Sequence, residues 1–136
     1  MFKTDPYRVY MYDTDAAGVV HHSQYIRYLE AGRIEYLRWL GIPYLTFQEQ
    51  GIGFVPTTLT IQYRKPLRQD DAYCVTVAVE SYKRASFTLR QTIVCNDVCY
   101  VMATVTLACV TEPDFTPVRL PERLLKVLAE ASKTVV

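Results

Sequence analysis

The 136-residue chain has few of the features that mark a specialised class. It has two histidines, and they are adjacent, His21 and His22. Its four cysteines, Cys74, Cys95, Cys99 and Cys109, show no CxxC or CxxH spacing. Structural zinc needs such ligands at close spacing, so no metal site is expected. No apolar run approaches the roughly 18 residues that cross a bilayer. The first residues, Met1-Phe2-Lys3-Thr4-Asp5-Pro6-Tyr7, put charge and proline where a secretory signal needs an apolar stretch. Neither sign of charge is in surplus: 15 Lys+Arg stand against 14 Asp+Glu, a formal net charge of +1. A general nucleic-acid binder needs a basic surplus to displace phosphate counterions, so no nucleic-acid partner is expected. The chain holds no internal repeat, low-complexity tract or linker. These absences predict a soluble cytoplasmic protein without a membrane span. Its cysteines then read as small buried apolar residues in a reducing compartment.

What is present is a conventional core-forming composition, 50% apolar and 21% charged. At this length it predicts a single domain over residues 1–136, with enough buried surface to need no staple. Tyr7 to Met11 reads as a first strand. Asp13, Asp15 and Gly18 then break the pattern with turn chemistry. From Ser23 to Leu40 the apolar residues Tyr25, Tyr28, Leu29, Gly32, Tyr36, Trp39 and Leu40 recur at helical spacing. Ile26, Ile34 and Leu37 widen that stripe, which predicts a helix wrapped by other structure. Gly32 in mid-helix costs about 1 kcal/mol against alanine, so close approach of another backbone is expected there. Ser23 or His22 would cap the helix, Gly41 and Pro43 would close it, and Pro43 to Gln50 would add a short second helix.

Beyond Gly53 the period becomes two. Val55 to Tyr63, Tyr73 to Val79, Phe87 to Cys95 (with Gln91 the exception) and Val101 to Cys109 each alternate as half-buried strands. Between the last two, parity requires an odd loop if the apolar faces are to align. A three-residue turn, Asn96-Asp97-Val98, would set Cys95 opposite Cys99. Pro121 to Ala131 predicts a short final helix. The order is strand, long helix, then four antiparallel strands.

The one concentrated polar segment is Tyr12 to Tyr25. An aspartate close before a helix N-terminus can act on a carbonyl that the free N–H groups polarise. Asp13 and Asp15 read equally as turn residues. Tyr12-Asp13-Thr14-Asp15-Ala16-Ala17-Gly18-Val19-Val20-His21-His22-Ser23-Gln24-Tyr25, followed by Arg27 to Tyr36 with its Glu30-Ala31-Gly32-Arg33, resembles the signature of hotdog-fold acyl-CoA thioesterases. The branch is the 4-hydroxybenzoyl-CoA thioesterase type, which includes the tol–pal-associated enzymes. Tyr63 to Asp71 and Arg84-Ala85-Ser86-Phe87 extend the likeness through residues 5 to 110.

The resemblance implies an α+β hotdog, a five-stranded antiparallel sheet around one long central helix, with a short C-terminal helix. It implies that Asp15 is nucleophile or general base. The His22 backbone N–H would polarise the thioester carbonyl, and the His22 side chain would assist. Asp13 and Gly18 would be structural, and His21 incidental. Glu30 and Arg33 would form an ion pair on the helix. Tyr25, Arg64, Lys83, Arg84 and Ser86 would contact substrate, the basic residues receiving the coenzyme A phosphates. Coenzyme A belongs to the substrate, so no cofactor is implied. The implied assembly is a homo-oligomer, dimer or tetramer, with the site between subunits. The rival readings are a hotdog dehydratase and a non-catalytic acyl-thioester binder.

Overall fold

The computed structural model describes residues 1–133. Strands β1 (Phe2–Lys3) and β2 (Tyr7–Arg8) precede helix α1 (Gln24–Trp39) and helix α2 (Tyr44–Glu49). Four long strands follow: β3 (Ile52–Tyr63), β4 (Ala72–Tyr82), β5 (Ser86–Cys95) and β6 (Val98–Thr111). Strand β7 (Thr116–Pro117) and helix α3 (Glu122–Lys133) complete the order. All ladders are antiparallel, in the spatial order β1-β4-β5-β6-β3, with β2 also on β4 and β7 on β6. The sheet curls around α1, which packs against β4 and β5. This is the hotdog arrangement the sequence resembles. No described helix is long and apolar enough to cross a membrane.

The core is where the alternation placed it. Val75, Val77, Val79, Leu89, Ile93, Val101 and Val105 are buried beneath Tyr25, Tyr28, Leu29 and Tyr36 of α1. Burying Leu29 alone removes enough apolar surface to contribute about 1.5–3 kcal/mol. Gly32 sits where the helix meets the sheet. What approaches it is a side chain: a Cβ there would collide with Val75, coming 2.9 Å from its Cβ. The expectation of a second backbone is corrected accordingly.

Three further expectations change. The first strand is interrupted: only Tyr7 and Arg8 pair with β4, and Met11–Asp13 form a single 3-10 turn. In β3 a bulge between Pro56 and Thr58 shifts the face, so Phe54 and Pro56 stand opposite the inward Cys109 and Leu107 in place of Val55 and Thr57. Pro56 is tolerated because β3 is an edge strand. The β5–β6 turn has two residues, not three. Asn96 and Asp97 both take positive φ, 51° and 61°, the pairing a type I′ turn requires. Cys99 therefore faces Val94, and Cys95 faces Val98. Parity is restored by a bulge: Ile93 pairs with Val101 and Val94 with Cys99, leaving Tyr100 as the extra residue. All four cysteines are free thiols.

Candidate active site

The segment before α1 is folded by its own polar groups. Asp15 opens a tight turn in which the Gly18 N–H donates to its carbonyl at 3.0 Å, with Gly18 at φ +79°. The Asp15 N–H reaches back to the Val19 carbonyl at 2.8 Å. Its carboxylate Oδ1 accepts the Ala17 N–H at 2.8 Å, an Asx turn. One oxygen thus fixes the side chain, and Oδ2 has no protein donor among the described residues. Asp15 is exposed.

Asp13 has the opposite environment. It is 9% exposed, and its Oδ2 accepts the Tyr28 hydroxyl at 2.8 Å. Its carbonyl accepts the His21 N–H at 3.0 Å. Asp13 therefore ties the loop to the second turn of α1. Burial, and then the bond to Asp13, push the Tyr28 phenol above its ordinary value, since a phenolate beside a carboxylate is disfavoured.

The helix start is anchored from both sides. The Val20 N–H donates to the Leu67 carbonyl at 2.8 Å, and the Leu67 N–H donates to the Tyr25 hydroxyl at 3.0 Å. The Tyr63 hydroxyl, at the end of β3, donates to the His22 carbonyl at 3.3 Å. Ser23 occupies the cap position without a capping bond from its side chain. The acceptor is instead His21, whose Nδ1 takes the Ser23 N–H at 3.2 Å and lies 2.8 Å from Ser23 Oγ. His21, read from sequence as incidental, is a capping group, and its ring stacks on His22 at 4.3 Å. The His22 N–H itself has no acceptor among the described residues. His22 is exposed and immediately precedes the Ser23 cap of α1, the end of a helix where the backbone dipoles favour negative charge.

The remaining expected residues divide into two groups. Arg64 and Lys65 leave the end of β3 beside Tyr63, and both N–H groups donate to the carbonyl of the bulged Tyr100, at 2.8 and 3.2 Å. The Lys65 ammonium lies 5.3 Å from the centre of the Tyr100 ring. The bulge that corrects the hairpin parity thus shapes the end of the sheet nearest Asp15. Lys83 and Arg84 lie in the β4–β5 turn and Ser86 opens β5, the Lys83 N–H donating to the Ser86 carbonyl at 2.8 Å. Tyr63 is level with Val101, and Ser86 with Ala108. Seven residues of extended strand separate the two levels, about 23 Å. One chain does not bring Lys83, Arg84 and Ser86 to Asp15. Tyr25 is 3% exposed and engaged with Leu67, so its place is beneath the site.

Arg33 forms no ion pair with Glu30, contrary to expectation. The ion pair among the described residues is Arg38–Glu35, at 2.7 Å. Arg33 instead points inward, and its Nη1 donates to Gln91 Oε1 at 3.2 Å. Gln91 is fully buried and donates from Nε2 to the Leu29 carbonyl at 2.9 Å. The polar residue that interrupted the β5 alternation was the signal for this contact. Tyr63 gave no such signal, because its strand pattern made it one more apolar position. No described group of three or more His, Cys, Asp or Glu is placed to hold a metal ion.

Residues 9–128 match the thioesterase-like superfamily. The acyl-CoA thioesterase YbgC of Haemophilus influenzae is 38% identical over 120 residues, 88% of each chain. A crystal structure of a hypothetical protein from Aquifex aeolicus superposes with TM-score 0.88 at 34% identity, covering 94% of this chain and 99% of that one. That of a DHNA-CoA thioesterase from Staphylococcus aureus superposes with TM-score 0.86 at 27% identity, covering 99% and 91%.

Proposed function

The chain belongs to the thioesterase-like superfamily, and from that premise we propose that it hydrolyses acyl-CoA thioesters with Asp15 as the acting carboxylate. The observation that carries this reading is a fixed, exposed Asp15 in the loop leading into α1, together with a His22 N–H, just before the helix cap, that has no acceptor among the described residues. The thioester carbonyl oxygen accepts the His22 N–H, and charge developing on it is stabilised by the helix end. Asp15 Oδ2 either takes a proton from water as it attacks, or attacks the carbonyl and is itself released by water. In both cases the C–S bond breaks, the acid keeps the water oxygen, and coenzyme A leaves as thiolate and takes up a proton. A thioester suits so spare a site because thiolate is a good leaving group. The reaction asks for no cofactor, and a coenzyme A substrate fits a cytoplasmic location.

The separation of the two residue groups supports a homo-oligomer. Strand β3 is an edge, paired among the described residues with β6 alone. Antiparallel pairing of β3 with β3 of a second copy would set the far end of the partner's sheet level with this chain's Tyr63 and Arg64. Lys83, Arg84 and Ser86 of the partner subunit would then stand at the Asp15 end, available to coenzyme A phosphates. A two-fold interface of this kind is self-complementary.

Free-thiol release from a panel of acyl-CoAs, run on wild type and Asp15→Asn in parallel, tests the assignment. Wild-type release that falls by at least about 100-fold in the variant is expected for loss of a catalytic carboxylate. Turnover that survives the change removes Asp15 from its role. Binding without release from any substrate favours a non-catalytic acyl-thioester binder.

A further inference from the structure

The backbone N–H groups from Val20 to Gln24 lead into α1, and all but one have acceptors among the described residues. Val20 donates to the Leu67 carbonyl at 2.8 Å, and His21 to that of Asp13 at 3.0 Å. Ser23 donates to His21 Nδ1 at 3.2 Å, and Gln24 to the His21 carbonyl at 2.9 Å. The exception is the His22 N–H, although its neighbours on both sides are tied down. A free donor in a fixed segment is what a developing negative charge needs, because such a donor requires no reorganisation when the charge appears.

The aim of that donor depends on the two peptide planes that meet at His22. The first holds the His21 carbonyl and the His22 N–H. Its carbonyl accepts the Gln24 N–H, which polarises the N–H at the other end of the same unit. The second plane holds the His22 carbonyl, and its donor is the Tyr63 hydroxyl at 3.3 Å, from the last residue of β3. Tyr63 is 49% exposed, so burial does not oblige this hydroxyl to find a protein partner. Its ring stands edge-on to Tyr25 at 5.4 Å, and the Tyr25 hydroxyl is itself held by the Leu67 N–H. Tyr63 and Asp15 share this neighbour. Burial raises the Tyr25 phenol most, the Leu67 bond draws it back, and Tyr63 and then Asp15 raise it further. The Tyr63 hydroxyl therefore stands at the Asp15 end of the fold, carried on a long strand.

We propose that Tyr63 is a positioning residue for thioester hydrolysis: its hydroxyl, by holding the His22 carbonyl, fixes the His22 backbone so that the adjoining N–H receives the thioester carbonyl oxygen. This rests on the thioesterase reading, with that N–H as the donor. Tyr63 acts through His22 and not on the substrate. Without the hydroxyl the His22 carbonyl turns to water, its peptide plane gains freedom, and the N–H loses part of its aim. Donor geometry counts most where the charge is largest, in the transition state. The loss therefore belongs in turnover and not in substrate affinity.

Tyr63→Phe tests this, since it keeps the ring and its contact with Tyr25 and removes one oxygen. Free-thiol release from acetyl-, hexanoyl- and hydroxybenzoyl-CoA gives kcat and KM for wild type and variant. On the best of these substrates kcat and kcat/KM are expected to fall together by about 3- to 10-fold, the range of one neutral hydrogen bond, with KM held within about twofold. The second readout is the infrared carbonyl stretch of that acyl-CoA, labelled with carbon-13 at the thioester carbon and bound to Asp15→Asn, in which turnover is slow. A hydrogen bond from His22 lowers that frequency. Adding Tyr63→Phe is expected to move it back towards its value in free solution. An unchanged kcat, a loss confined to KM, an unmoved carbonyl frequency or a variant that fails to fold would overturn the role of Tyr63 alone. A bound carbonyl with no lowered frequency even when Tyr63 is present sinks the His22 N–H as donor, and the proposal with it. No release from any of the three substrates sinks the thioesterase reading beneath both.

Discussion

The Tyr28 hydroxyl donates to Asp13 Oδ2 at 2.8 Å, and this bond joins the Asp13–Gly18 loop to the helix that follows it. Asp13 is buried, and Tyr28 is the side chain that satisfies it. Removing that donor leaves a buried carboxylate oxygen without a partner. Tyr28→Phe is expected to cost about 1–3 kcal/mol, read as a lower denaturant midpoint at unchanged slope. Because Asp15 is two residues along the same loop, thioester turnover should fall as well. Tyr73→Phe is the control: Tyr73 stacks on Tyr28 at 4.5 Å, and this change leaves the Asp13 bond intact. An equal loss of stability in both variants would mean that the bond to Asp13 adds nothing.

The same cluster predicts behaviour in alkali. Burial first, and then negative neighbours, raise the phenols of Tyr28 and Tyr73 above the ordinary value of 10. A group whose folded pKa is raised keeps its proton longer in the native state than in the unfolded chain. Its contribution is complete below pH 10 and is lost as pH rises through the higher folded values. Stability is therefore expected to be flat with respect to these groups near neutrality and to fall above pH 10. Phenolate absorbance should appear late for part of the tyrosine set and arrive with unfolding. A full, early tyrosine titration with no loss of structure would contradict this.

How much of this was legible differs by level. The helix and the strand faces of β4 to β6 could be read because each buries one side, and burial imposes a period. The failures are places where one residue breaks the period. The extra residue in β3 moved Val55 off the inner face, and the Asn96-Asp97 turn depended on whether two residues would both accept positive φ. Hydrophobic pattern carries no information on either. In the site, Asp15, His22 and Gly18 were visible as a motif. The His21 cap, the Tyr63 contact and the turn of Arg33 towards Gln91 were not, because each joins groups whose geometry only the folded backbone sets.

Gly32 offers a test of close packing. Alanine is the better helix former by about 1 kcal/mol in an exposed helix. Here its methyl would meet Val75, a buried β-branched residue with little freedom to move. Gly32→Ala is expected to destabilise by about 1–3 kcal/mol through overpacking. Adding Val75→Ala should recover part of that loss, so the pair should be non-additive in a double-mutant cycle. A stabilised Gly32→Ala would show that the helix can lift from the sheet without cost.

The edge of β3 bears on whether the site is shared between chains. Leu59, Ile61 and Tyr63 stand opposite Val105, Ala103 and Val101, with Leu59 and Tyr63 still exposed, and alternate with Thr58, Thr60 and Gln62 on the other face of the strand. Lysine at Thr60 and Gln62 leaves the core untouched and places like charges along an edge that would meet its own copy. The double variant Thr60→Lys, Gln62→Lys is expected to shift the mass measured by light scattering from oligomer to monomer, with the far-ultraviolet circular dichroism retained. Thioester turnover should fall with dissociation, since Lys83, Arg84 and Ser86 lie about 23 Å along the sheet from the Asp15 end of their own chain. Coenzyme A phosphates would then lose their basic contacts, so the rise should be in KM more than the fall in kcat. A wild-type monomer with full activity, or a dissociated variant that keeps its KM, would show that one chain carries the whole site.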